Sequence, residues 1–114
     1  MWATPRQHPR FETSLPVELR PVGLQVPLRA QTDDLSLGGL YVEMSCTQNI
    51  STEVDIVLWV GGTKIKAKGM IVSNHPSFGN GVKFTHLEEA DKQVLCRFLA
   101  ELEARMAPRP SLLR

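Results

Sequence analysis

Asp33-Asp34-Leu35-Ser36-Leu37-Gly38-Gly39-Leu40-Tyr41-Val42 is the stretch around which the chain is organised. Leu35 and Leu37 alternate with Asp34 and Ser36, a glycine pair follows, and the alternation resumes through Leu40, Val42 and Met44. A period of two marks a strand with one buried face, and Gly-Gly marks a tight turn, so the stretch predicts a hairpin. With Leu35 and Leu37 facing a core, Asp34 and Ser36 point the other way, about 7 Å apart at the strand rise. A carboxylate and a hydroxyl are then expected on an exposed face, beside glycines that let another group approach the backbone. By itself the pattern is an ordinary turn, because Asp, Ser and Gly populate turns for conformational reasons.

Upstream, residues 1–10 carry Pro5, Pro9, Arg6 and Arg10 without periodicity and predict a mobile arm. Phe11 to Val22 predicts a first strand, with Val17 and Leu19 alternating against Glu18 and Arg20. Leu24 to Ala30 alternates again, although Pro27 confines it to an edge or a bulge. Downstream, Thr47 to Thr52 is polar and loop-like. Val54, Ile56, Leu58 and Val60 then alternate, Gly61-Gly62 turns, and Lys64, Lys66 and Lys68 alternate with Ile65 and Ala67 on the way back. This is the plainest hairpin of the chain. The three lysines share one face, which reads as a solvated face or a guarded sheet edge.

Beyond a loop holding His75-Pro76, Val82 and Phe84 predict a last short strand. A helix is expected from about Glu88 to Met106, where Val94, Phe98, Leu102 and Met106 recur every four residues and Leu95 and Leu99 widen the stripe. Thr85-His86-Leu87-Glu88 fits a capping box at its start. Pro108 ends it, and residues 108–114 read as a disordered tail. The expected fold class is mainly β: a small six-stranded antiparallel barrel with one C-terminal α-helix, spanning residues 11–107.

Composition narrows the function. A chain of 114 residues supports one domain. A net charge of +1, with Lys and Arg spread along the chain, gives no basic patch for DNA or RNA. A few placed arginines nonetheless suffice for a small dianion. Aromatic content of 6% is too low for a strand face built to stack single-stranded bases. Cys46 and Cys96 stand apart with no CxxC and no histidine spacing, which predicts neither a metal site nor a disulfide framework. His8, His75 and His86 have no acidic or cysteine partner by spacing, so neither an enzyme nor a cofactor is expected. No apolar run opens the chain and none approaches ~20 residues, so the reading is cytoplasmic, with no signal peptide and no membrane insertion.

Arg6-Gln7-His8-Pro9-Arg10 places two arginines four apart ahead of the first strand. Together with Asp34-x-Ser36-x-x-Gly39 it resembles the two-part signature of PilZ domains, the bacterial receptors for cyclic di-GMP: RxxxR, then [D/N]xSxxG. Gly79-Asn80-Gly81-Val82-Lys83-Phe84 is similar to the GxGVxF of that family's last strand, and a helix follows in both. The resemblance runs from Arg6 to about Met106 and implies the same barrel.

It also implies a site. Arg6 and Arg10 clamp base and phosphate, Asp34 reads a guanine edge, Ser36 adds a hydrogen bond, and Gly39 leaves the backbone open. The chemistry is sound, because an arginine fork matches guanine O6 and N7 and also phosphate oxygens. A carboxylate accepts from the guanine N1–H and N2–H₂ donors. His8 reads as a spacer between the arginines. Binding is expected to draw the arm across the barrel and so signal to a downstream protein, the chain itself being a monomer or weak dimer. In family members an arginine just before RxxxR accompanies two stacked nucleotides. Pro5 stands there here, which implies one nucleotide per chain. The alternative is a PilZ-like protein-interaction module that does not bind the nucleotide, although such members usually lack the arginine pair.

Overall fold

The computed structural model describes residues 8–106. They form β1 (Phe11–Glu12), β2 (Pro16–Pro21), β3 (Leu28–Leu35), β4 (Gly39–Glu43), β5 (Glu53–Val60), β6 (Thr63–His75), β7 (Gly79–Leu87) and α1 (Glu89–Arg105). Every strand pairing is antiparallel. The neighbours run β3-β2-β5-β6-β7-β4, and β4 pairs back onto β3, which closes six strands into a barrel. β1 is added beside the C-terminal end of β3. Barrel and helix are as the sequence predicts.

The β5–β6 hairpin follows directly from its alternation. Val54, Ile56, Leu58 and Val60 are buried, with Ile65 and Ala67 facing them, while Lys64, Lys66 and Lys68 are exposed. Gly61 and Gly62 have φ of +55° and +86°, a left-handed pair that only glycine adopts freely and that matches the twist of the flanking strands.

Other boundaries differ from expectation, each for a local reason. The run from Phe11 to Val22 is two strands, because Thr13–Leu15 leave the ladder. Thr32, buried on β3, bridges the gap: its hydroxyl accepts the Leu15 N–H at 2.9 Å and donates to the Thr13 carbonyl at 2.6 Å. Leu24 and Val26 lie outside the strands, and β3 starts only after Pro27. The strand after the lysines does not stop near Lys68 but runs to His75, with register shifts near Gly69 and Ile71–Ser73. The last strand is correspondingly long and pairs with it out to Leu87.

The capping box is a correction. Thr85 remains within β7, so Glu88 is the N-cap and makes no side-chain cap bond. Asp91, in the first turn of α1, instead accepts the backbone N–H of Lys66 at 3.1 Å, just beyond the last β6–β7 pair, and so ties helix to sheet. Leu95, Leu99 and Leu102 are buried, with Val94, Phe98 and Met106 on the margins, and the helix packs against β1, β5 and β6. The predicted tail and Pro108 lie outside the described residues, as do residues 1–7 of the predicted arm.

Candidate functional site

The signature strand carries a bulge. Thr32 pairs with Val42 and Asp34 with Tyr41, which leaves Asp33 as the extra residue of β3. Leu35, opposite Leu40, faces the core, so Asp34 is on the outer face of the barrel as the alternation predicts. The expected exposure is wrong. Arg10, immediately before β1, sets its Nη2 3.3 Å from Asp34 Oδ2, and the two side chains are only 11% and 1% exposed. β1 explains the placement: Glu12 pairs with Asp34 and Phe11 with Leu35, so the chain bearing Arg10 runs alongside the signature strand.

Ser36 is also buried, against expectation, because its hydroxyl builds the turn. Its Oγ accepts the N–H groups of Gly38 at 3.0 Å and Gly39 at 3.2 Å and donates to the Gly39 carbonyl at 3.3 Å. The Ser36 N–H donates to the same carbonyl at 2.8 Å. Gly39 is required by its neighbour rather than by a turn conformation, since a Cβ there would collide with the Val82 carbonyl of β7. Gly38 gives its carbonyl to the Phe84 N–H at 2.9 Å. Of the five residues expected at the site, Arg10, Asp34, Ser36 and Gly39 are thus gathered at one end of β3 and β4; Arg6 lies outside the described residues.

Sequence reasoning gave no role to Tyr41 or Lys83 and read His8 only as a spacer. His8 lies against the turn, its Cδ2 3.0 Å from where a Gly38 Cβ would stand. Tyr41 stands directly across from Asp34 and shares a 2.8 Å hydrogen bond with His75 Nδ1, its ring packed on the bare Cα of Gly79. Lys83 is exposed and pairs with Gly39, so it stands beside the turn on the same outer face. The period of two past the glycine pair contained the signal for Tyr41. For His8 no sequence pattern did. Among the described residues no group of His, Cys, Asp and Glu could hold a metal ion, and Cys46 and Cys96 are free and exposed. Among the described residues no helix is long and apolar enough to cross a membrane.

The profile of the PilZ domain matches residues 4–101. The chain belongs to the PilZ domain family. Solved structures share this PilZ fold at low identity. The inhibitor of motility MotI/DgrA from Bacillus subtilis superposes with a TM-score of 0.78 at 15% identity, over 91% of this chain and 54% of that one. This PilZ domain therefore spans about half the length of MotI. The PilZ domain of YcgR from Escherichia coli, solved with c-di-GMP, gives 0.73 at 15% identity over 88% and 92%. The PilZ domain of CeSA from a cellulose-synthesizing bacterium gives 0.65 at 24% over 82% and 97%. No curated protein matches the sequence.

Proposed function

We propose that this PilZ domain is a receptor that binds cyclic di-GMP without turning it over, at the outer face where Arg10, Asp34 and the Ser36–Gly39 turn meet. The carrying observation is the Arg10–Asp34 pair beside that turn. It supplies an oriented guanidinium, the group that matches both a guanine Hoogsteen edge and a phosphodiester. The YcgR domain solved with c-di-GMP supports the choice of ligand.

Magnitudes decide how Arg10 takes part. Pulling it off Asp34 breaks a buried, charge-assisted contact, which is costly where water is excluded. A guanidinium has five N–H donors, so keeping Asp34 while adding the ligand is far cheaper. Asp34 then acts first by orienting Arg10, and it reads guanine only where the ligand uncovers it. Arg6 supplies the second fork and Lys83 a cation for the phosphodiesters, and the part of the arm ahead of His8 shifts on binding to present a changed surface to a partner protein.

The alternative module, which keeps the motif but binds no nucleotide, is favoured by one observation: Ser36 and Gly39 already serve the fold. Calorimetric titration separates the two. Saturable heat with cyclic di-GMP, much weaker heat with cyclic di-AMP, and loss of about 1–3 kcal/mol in Arg10→Lys are expected, because lysine keeps the charge on Asp34 but not the fork. Absence of heat with the intact chain establishes the interaction module instead.

A further inference from the structure

We infer that His8 is a positioning residue: its ring, seated on Gly38, anchors residues 8–10 to the signature turn. For its effect on ligand affinity this rests on the nucleotide reading above; the seat itself does not. Two of the three atoms nearest to a hypothetical Gly38 Cβ belong to the His8 ring, Cδ2 at 3.0 Å and Cγ at 3.9 Å, and the third is Ser36 Oγ at 3.7 Å. Gly38 is not among the residues with positive φ, so its backbone does not call for glycine. Space is what the missing side chain provides, and His8 fills it. Gly39 is different, since β7 backbone excludes any side chain there.

The seat works with the ion pair two residues on. His8 rests on Gly38 and Arg10 is held by Asp34. Between them Pro9 fixes its own φ and biases His8 towards an extended conformation. Two attachment points joined by a stiff residue set the direction in which the chain leaves the barrel. With Arg10 held alone, His8 has to be ordered by the ligand, whereas a seated His8 is ordered beforehand.

The test combines NMR of the free chain with calorimetry. A nuclear Overhauser contact between the His8 ring and the Gly38 α-protons is expected without any nucleotide, and its absence overturns the seat. Amide order parameters at His8 and Arg10 fall in His8→Ala and Gly38→Ala; unchanged values overturn the anchoring. His8→Ala lowers cyclic di-GMP affinity about tenfold, roughly the effect of ordering one freed residue on binding. Gly38→Ala acts in the same direction by less, and the double variant is no weaker than His8→Ala, since both break one contact. Additive losses overturn the proposal. His8→Phe retains a flat ring and restores both order and affinity, and a His8→Phe variant as weak as His8→Ala overturns the seat as the cause. If the intact chain gives no heat with cyclic di-GMP yet keeps the contact and loses order in Gly38→Ala, the nucleotide reading fails and the anchor stands.

Discussion

At the scale of single residues, the site is held by a carboxylate and a guanidinium withdrawn from water. Such pairs contribute little net stability against an apolar replacement, but removing one partner is expensive. Asp34→Ala and Arg10→Ala are therefore each expected to destabilise the fold by about 3 kcal/mol, the low end of the range because Arg10 retains some access to solvent. The double variant should lose clearly less than the sum, because the contact the two share is removed only once. Urea unfolding midpoints of the four proteins measure this, and strict additivity refutes the coupling. Sequence reasoning found both residues and missed their contact. It placed Arg10 in a free arm, since nothing in Arg-Gln-His-Pro-Arg announces that the next two residues pair beside Asp34. Affinity losses in Arg10→Ala must accordingly be judged after its stability is known.

At the scale of elements, alternation was legible wherever one face of a strand met water, as in β5 and the first half of β6. It failed where hydrogen bonds, not side-chain periodicity, set the boundary. One hydroxyl spans the break between β1 and β2, since Thr32 satisfies both the Leu15 N–H and the Thr13 carbonyl, beside the backbone bonds from Thr13 N–H to Asp33 and from Thr32 N–H to Leu15. Thr32→Val keeps the shape and leaves two backbone groups wanting, which costs about 1–3 kcal/mol for each that stays dry. Hydrogen exchange at Leu15 should accelerate in that variant, and an unchanged rate contradicts the splice. The capping box misled for a related reason. Its spacing is correct, but β7 runs on to Leu87 with Thr85 as the unpaired residue of a bulge, so the helix starts only at Glu89. The bulge at Asp33 and the buried state of Ser36 were equally invisible, since both arise from partners distant in sequence or from backbone geometry.

At the scale of the molecule, the barrel closes through pairings far apart in the chain, β2 with β5 and β4 with β7. Folding dominated by such contacts belongs in the millisecond-to-second range. A ligand that binds only the closed barrel stabilises it by about 2.7 kcal/mol at a hundredfold excess over Kd. For a domain of this size that corresponds to a rise in Tm of roughly 10 °C or more. Cyclic di-GMP should produce such a rise in the intact chain and a smaller one in Arg10→Lys, read by differential scanning fluorimetry. With Pro5 rather than arginine before the motif, a stoichiometry of one nucleotide per chain is expected, and two refutes the Pro5 argument. The family was legible in short motifs because they are local; the six-strand closure was legible only as a count of strands.

Ser36 and Gly39 have a further consequence, for descent rather than for binding. One closes a turn with its hydroxyl and the other admits the Val82 carbonyl, so selection for folding alone would preserve both. A lineage that abandoned its ligand would keep this half of the signature intact. Drift would show first in side chains for which the barrel has no use.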